Sequence, residues 1–368
     1  MVQFIMRYAF FMINTCAASY LRDSIAFTRE LQSLPTIDTI ILNDPNLTTL
    51  AVAFETAGLV GRLCTTCNFT VFAPNNDAFA DVDQKFLATL LTPSWNLHLQ
   101  NLIAFHVTLP TDDGNRILST DYVDGQVFEM LNSEFVTVSD LKSGISLTSP
   151  LTVGSKIVEP DVLASNGAVQ IVDNVLSPDF FGVDVFALGD KFVEFTILQD
   201  LIESIFGIAG TEGEYTILAP TNDAFLDLGN ETLAALKEDK RALGKILANH
   251  VIVGVYPSIS LKNGLILESL GGFNITVTIS EATALPTVMF NDATVILADI
   301  LARNGIAHAI DTVLIDPNPI SDVPSIVPSD TPSSIPSDVP SSMPSDVPSD
   351  APSAAPSNAP STTPNIVR

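Results

Sequence analysis

Cys64 and Cys67 stand three apart as C-T-T-C. In a reducing compartment such a pair exchanges disulfides or supplies half of a zinc site. Zinc needs four ligands, but the chain has no second cysteine pair and its 4 histidines are scattered. A short-loop Cys64–Cys67 disulfide in an oxidising compartment is the better reading. Acids are abundant, 42 Asp and Glu, so neighbouring carboxylates are guaranteed by number alone. A glycosidase needs two of them at a set separation in a cleft, which spacing along the chain does not reveal. No G-x-S-x-G, H-E-x-x-H or phosphate loop occurs. The chemistry therefore reads as non-catalytic, with no cofactor and no metal. A calcium loop of the D-x-[DN]-x-[DN]-G kind is missing, which leaves calcium a minor option.

Four N-x-[ST] sequons, at Asn46, Asn68, Asn230 and Asn274, fit the same oxidising compartment as glycan acceptors. Asn68 fits least well, because a strand begins right after it. Residues 1–23 have the order of a signal peptide. Arg7 precedes an uncharged stretch, then come Cys16, Ala17, Ala18 and Ser19. The stretch is too short for an ordinary membrane span. A net charge of −26 repels nucleic acid and anionic lipid. It suits solubility, or attraction to cations and basic matrix polymers.

The elements that would position these groups are written twice. FTVFAPNNDAFADV from Phe69 returns as YTILAPTNDAFLDL from Tyr215. NLIAFHVTLP from Asn101 returns as KILANHVIVG from Lys245, and ASNGAVQIVDNVLSP from Ala164 as ARNGIAHAIDTVLID from Ala302. The order is kept and the losses fall between blocks, where loops tolerate them. Two complete domains are expected, 36–178 and 183–317, since solenoid repeats are far shorter.

Each first block reads as a strand ended by Pro74 or Pro220, which lack an N–H. Asn75 and Thr221 then cap a helix carrying Asp77 or Asp223 in its first turn. Phe79 and Phe225 anchor that helix. Helical segments follow in both copies, with Phe86, Leu87, Leu90 and Leu91 at 3–4 spacing and Leu233, Leu236, Leu243 and Leu247 fitting the same period. The third block holds an Asn-Gly turn and a strand, in which Gln170 and His308 are expected to face outward. The sum is α+β.

Residues 318–368 are Pro-, Ser- and Asp-rich, with a proline at every fourth position from Pro324 to Pro364. Polyproline II is the natural local state, reaching on the order of 120 Å if extended. A stalk decorated with glycan or phosphate and a bare disordered linker both fit.

The three blocks, in this order and twice over, resemble the fasciclin-like domain family: its TVFAPTNxAF box, its xxHV segment and its NGxxHxIDxVLxP box. The resemblance implies two tandem domains, each a β-wedge or sandwich flanked by helices, and a role in cell adhesion or extracellular-matrix organisation. It implies cell-surface or matrix proteins as partners, with a carbohydrate-binding cell-wall protein as the alternative. The Pro-Ser stalk is similar to those of algal wall and matrix proteins. The family's Tyr-His partner-binding element falls on Phe105-His106 and Asn249-His250, where the tyrosine is absent. Its Asp-Ile element falls on Asp161-Val162 and Asp299-Ile300, and no Arg-Gly-Asp occurs. The histidines also suit a structural role, bonding a carbonyl at a helix end. The two aspartates suit a turn or cap.

Overall fold

A computed structural model describes residues 34–63, 67–110, 116–139, 141, 144–206, 213–281 and 286–316. The signal segment 1–23, Cys64 and the stalk 318–368 lie outside the described residues.

The first copy opens with helices α1 (Ile37–Asn43) and α2 (Thr48–Thr56), then strand β1 (Phe69–Pro74). Pro74 is the last strand residue, and Asn75 Oδ1 accepts the Ala78 N–H at 2.8 Å to cap α3 (Asn76–Ala80). Helices α4 (Gln84–Leu90) and α5 (Asn96–Ala104) follow, then strands β2 (Val127–Glu129), β3 (Phe135–Ser139), β4 (Ser146–Thr148), β5 (Ser155–Ala164) and β6 (Gly167–Val172). The sheet order is β1-β6-β5-β4-β3-β2. β1 and β6 run parallel and the other pairs antiparallel.

The second copy repeats the plan. Helix α6 (Thr196–Phe206) leads into β7 (Tyr215–Pro220), and Thr221 Oγ1 caps α7 (Asn222–Leu226) at the Ala224 N–H. Two helices come next, α8 (Asn230–Glu238) and α9 (Lys240–Asn249). They carry Leu233, Leu236, Leu243 and Leu247, the leucines expected on helix. Asp239 Oδ1 accepts from the Arg241 and Ala242 N–H groups and starts α9 afresh. Strands β8 (Val251–Val253), β9 (Ile266–Glu268), β10 (Asn274–Ser280), β11 (Thr287–Phe290), β12 (Ala293–Ala302) and β13 (Gly305–Ile310) complete it. Their order is β8-β7-β13-β12-β11-β10-β9.

The parallel pairs β1/β6 and β7/β13 are buried on both faces. Val71 and Ala73 point into the helical core, while Phe72 points into a second core with Phe128, Val136 and Leu147. The same split recurs with Ile217 and Ala219 against Leu218. Gly167 and Gly305 open β6 and β13 at φ 149° and 155°. A Cβ at either would collide with a backbone carbonyl, of Phe69 or of Tyr215. Glycine is required because the parallel strands approach so closely there.

Burial on both faces overturns one expectation. Gln170 and His308 do not face out; both are fully enclosed at 0 % exposure. A strand covered on two sides gives its polar residue no water to face.

Candidate functional site

The second-block histidines close α5 and α9 identically. His106 Nδ1–H donates to Leu102 O at 2.8 Å, and its Nε2 accepts the Leu176 N–H at 3.0 Å. His250 Nδ1–H donates to Ile246 O at 2.8 Å, and its Nε2 accepts the Leu314 N–H at 2.9 Å. Both rings thus tie a helix end to the strand exit of the third block. Using one nitrogen as donor and the other as acceptor demands a neutral imidazole. Burial pushes each ring down to about 4, against the pull of its carbonyl partner. The neighbours Phe105 and Asn249 are buried too. Phe105 packs in the sheet-side core, and Asn249 lies against Gly271.

The third-block elements form a second duplicated cluster. Asp161 and Asp299 sit where β5 and β12 slip register against β6 and β13. Both take left-handed backbone, φ 59° and 63°. Asp161 Oδ1 accepts the Ser119 N–H and the Gln170 amide, each at 2.8 Å, and the Asp161 N–H donates to Gln170 Oε1 at 2.9 Å. Asp299 Oδ1 accepts the Ser258 N–H at 2.8 Å, and the Asp299 N–H donates to His308 Nδ1 at 3.3 Å. The Ser119 and Ser258 hydroxyls each donate to the remaining carboxylate oxygen. His308 Nε2–H donates to Tyr256 O at 2.9 Å. Burial raises the Asp161 carboxyl, but its hydrogen bonds from Gln170 and Ser119 outweigh that and hold it below its ordinary value. Burial lowers the His308 ring.

Chemically these clusters are clamps. Each carboxylate pins a short turn (Ser119–Asp121, Ser258–Ser260) to a bulged strand. The His308 nitrogens are spent on backbone groups, so neither Ser258 nor Asp299 gains a proton acceptor from it. Asp299 and Ile300 are buried, while Asp161 and Val162 are half-buried. The aspartates therefore hold the turn role. Of the eight partner-binding residues the resemblance suggested, none stands out into solvent. Among the described residues, no group of three or more His, Cys, Asp or Glu is placed to hold a metal ion. Of the disulfide pair, Cys67 is buried. Of the sequons, Asn46, Asn230 and Asn274 are exposed, and Asn68 is half-buried.

The junction between the copies is what the motifs did not reveal. His98, fully buried on α5 of the first copy, donates through Nε2–H to Gly305 O of the second at 2.9 Å. Its ring packs 4.3 Å from Trp95 and 5.3 Å from Phe180, centroid to centroid. Trp95 Nε1–H crosses to Glu214 Oε2 at 3.0 Å, and the Arg303 guanidinium lies 5.6 Å over the Phe86 ring. Phe180 belongs to the connector Asp179–Gly182, a single 3-10 turn. Val255 and Ile306 of the second copy join the helical core of the first. The connector is part of a packed seam. A signal was available. With Asn101 aligned on Lys245, Trp95 and His98 fall opposite Asp239 and Ala242. They are large residues that break the repeat.

Comparison with known proteins matches the fasciclin domain at residues 45–178 and 191–316. The chain is 28% identical over 297 residues to the transforming growth factor-beta-induced protein ig-h3 of Sus scrofa, covering 74% of this chain and 40% of that one. It is 38% identical over 105 residues to the cell surface glycolipoprotein MPB83 of Mycobacterium bovis, 28% of this chain and 45% of that one. The chain thus spans less than half the length of these relatives. A solved FAS1 domain pair from the insect cell adhesion molecule Fasciclin I covers 76% of this chain and 96% of its own at 16% identity, with a TM-score of 0.36. Two matched stretches filling most of the folded length, with the three blocks in order in each, make this chain a member of the fasciclin-domain family.

Proposed function

We propose that this protein is a non-catalytic, extracellular adhesion or matrix-organising protein that makes two weak contacts, one through each copy. The supporting observation is a duplicated outer strand. β2 and β9 end their sheets. Bridges Thr108–Met130 and Ile252–Ser269 tie the chain just past each strand back to the sheet's other end, and Glu129 O accepts the Leu109 N–H. What each edge strand offers a partner is therefore its outward side chains. Val127-Phe128-Glu129 and Ile266-Leu267-Glu268 alternate identically, middle residue inward. The outward Val127 and Ile266 are 56% and 63% exposed. Apolar residues held out at the same place twice suit a protein partner better than a sugar. The family's association with adhesion and the cell-surface relative agree with this reading. The signal-like N-terminus, the C-T-T-C pair and the sequons support secretion.

Each edge alone offers an affinity on the order of micromolar or poorer. A packed seam fixes the spacing of the two edges, so a matrix that repeats at that spacing is held by both at once, with a gain of about 10²–10⁴. The test is binding of the whole chain to immobilised host matrix, with Val127→Lys, Ile266→Lys and the double variant. Each single change should lower retention by more than tenfold, and the double should abolish it. Retention of all three variants at parental strength would sink the two-contact reading. Retention only on a glycan array would favour the wall-polysaccharide alternative.

A further inference from the structure

Between the two copies lies a cleft of about 1040 Å³, at the upper end of ordinary small-molecule sites (~300–1,000 Å³). One wall comes from the helices of the first copy, including Phe54, Leu97 and Ile103. The other comes from the second copy and includes Val255, Tyr256 and Leu265. Ile259 also lines it and is 79% exposed, so a large apolar side chain stands open to water at this cleft. Covering it with an apolar ligand is favourable at roughly 25 cal/mol per Å².

The charge of the cleft runs against that of the chain. Acidic residues outnumber basic ones 42 to 16 over the sequence. Yet among the described lining residues none is Asp or Glu, and two are basic: Arg62 from the first copy and Lys262 from the second. A surface of net charge −26 repels anions in general. A cleft whose described lining holds no acid and sets a cation on each of two apolar walls selects an anion with an apolar body. Both cations are exposed, so the head group adds discrimination while the chain supplies most of the affinity.

We propose that the cleft binds a single-chain anionic amphiphile of the fatty-acid class. Its hydrocarbon lies over the accessible apolar lining, Leu59, Leu63 and Leu131 on one side and Tyr256, Ile259 and Leu265 on the other, and its carboxylate is directed to Arg62 and Lys262. The ligand touches both copies, so binding also strengthens the seam.

The experiment titrates the delipidated full chain with cis-parinaric acid, followed by its fluorescence, and displaces it with palmitate or with hexadecanol. Palmitate should displace at one site and about tenfold better than the uncharged alcohol. The double variant Arg62→Glu, Lys262→Glu should erase that preference. Ser94→Trp, an exposed lining position, should weaken both ligands by tenfold or more by filling the cleft. Melting curves verify that the variants are folded, and Ile259→Glu replaces Ser94→Trp if that variant is not. The proposal is overturned by absence of saturable binding, by equal displacement with palmitate and hexadecanol, or by affinity unchanged in the cleft variants. Binding confined to anionic phosphatidylglycerol vesicles would equally overturn it, in favour of a membrane surface.

Discussion

Lowering the pH from 7.5 to 5.5 should cost the folded chain about 4 kcal/mol, carried mainly by three imidazoles. At His98, His106 and His250 burial holds the ring down to about 4, against the upward pull of backbone carbonyls. In the unfolded chain the same side chains take a proton near ~6.5. Between those values the unfolded state binds protons that the folded state refuses. The stabilisation from a neutral buried ring is therefore complete above the unfolded pKa and is lost as the pH falls toward 4. One pH unit inside that window is worth about 1.4 kcal/mol per ring, so three rings give about 4 kcal/mol at pH 5.5. Burial depresses His308 in the same direction and adds to the loss. Burial raises Glu134 to about 7, which has the opposite sign. Its folded form takes up a proton first as pH falls and, after allowance for its partial exposure, offsets roughly one ring. Asp161 and Asp311 lie below their ordinary value and lose stabilisation only under more acidic conditions. Against a typical ~5–15 kcal/mol of total stability, the net loss is large. Urea unfolding at pH 7.5, 6.5 and 5.5 measures it, with circular dichroism and the fluorescence of Trp95, the only tryptophan. Equal unfolding free energies at the two extremes, or imidazoles titrating near 6.5 in the folded protein by NMR, would refute the reasoning.

Gly305→Ala should cost more than about 2 kcal/mol, because the added Cβ meets the Tyr215 carbonyl; chemical denaturation measures it, and a neutral result would show that the parallel strands separate easily. His98→Ala should uncouple the copies, turning one calorimetric transition into two, whereas a single transition with a lowered midpoint would mean the seam does not depend on this ring. Glycopeptide mass spectrometry of the chain from its native host should find glycan at the exposed Asn46, Asn230 and Asn274 but not at the half-buried Asn68; occupancy at Asn68 would show that this stretch is modified before it packs.

The strand-to-helix corner was legible residue by residue. Pro74, Asn75, Asp77 and Phe79 each act on their immediate neighbours, and local chemistry survives in any tertiary setting. The leucine spacing across α8 and α9 marked helix correctly but not the break at Asp239, because its cap starts a new helix within that spacing. Gln170 and His308 misled for a different reason. Alternation tells which residues share a face, but not whether the opposite face is covered. Their partners Asp161 and Asp299 arrive from bulged strands, and a bulge leaves little trace in composition. Of the eight residues that resemblance suggested for partner contact, His106, His250, Asp161 and Asp299 form the fold's own hydrogen-bonded clamps, and the other four are buried or half-buried beside them. The seam is carried by Trp95, His98 and Phe180, which lie outside the repeated blocks and so carry no repeat signal.

The seam is also one-sided. The first copy contributes the plug, Trp95 and His98, and the second contributes the socket around Gly305 and Glu214. A head-to-tail contact between like modules is the geometry that builds open filaments when every module carries both halves. Here the second copy has the exposed Asp239 and the half-buried Ala242 where the plug would be. An acid in place of an indole would bring a second carboxylate to a socket whose Glu214 accepts a hydrogen bond from the Trp95 N–H. The second copy thus lacks the donor half of the contact, and the seam joins these two copies in one order only.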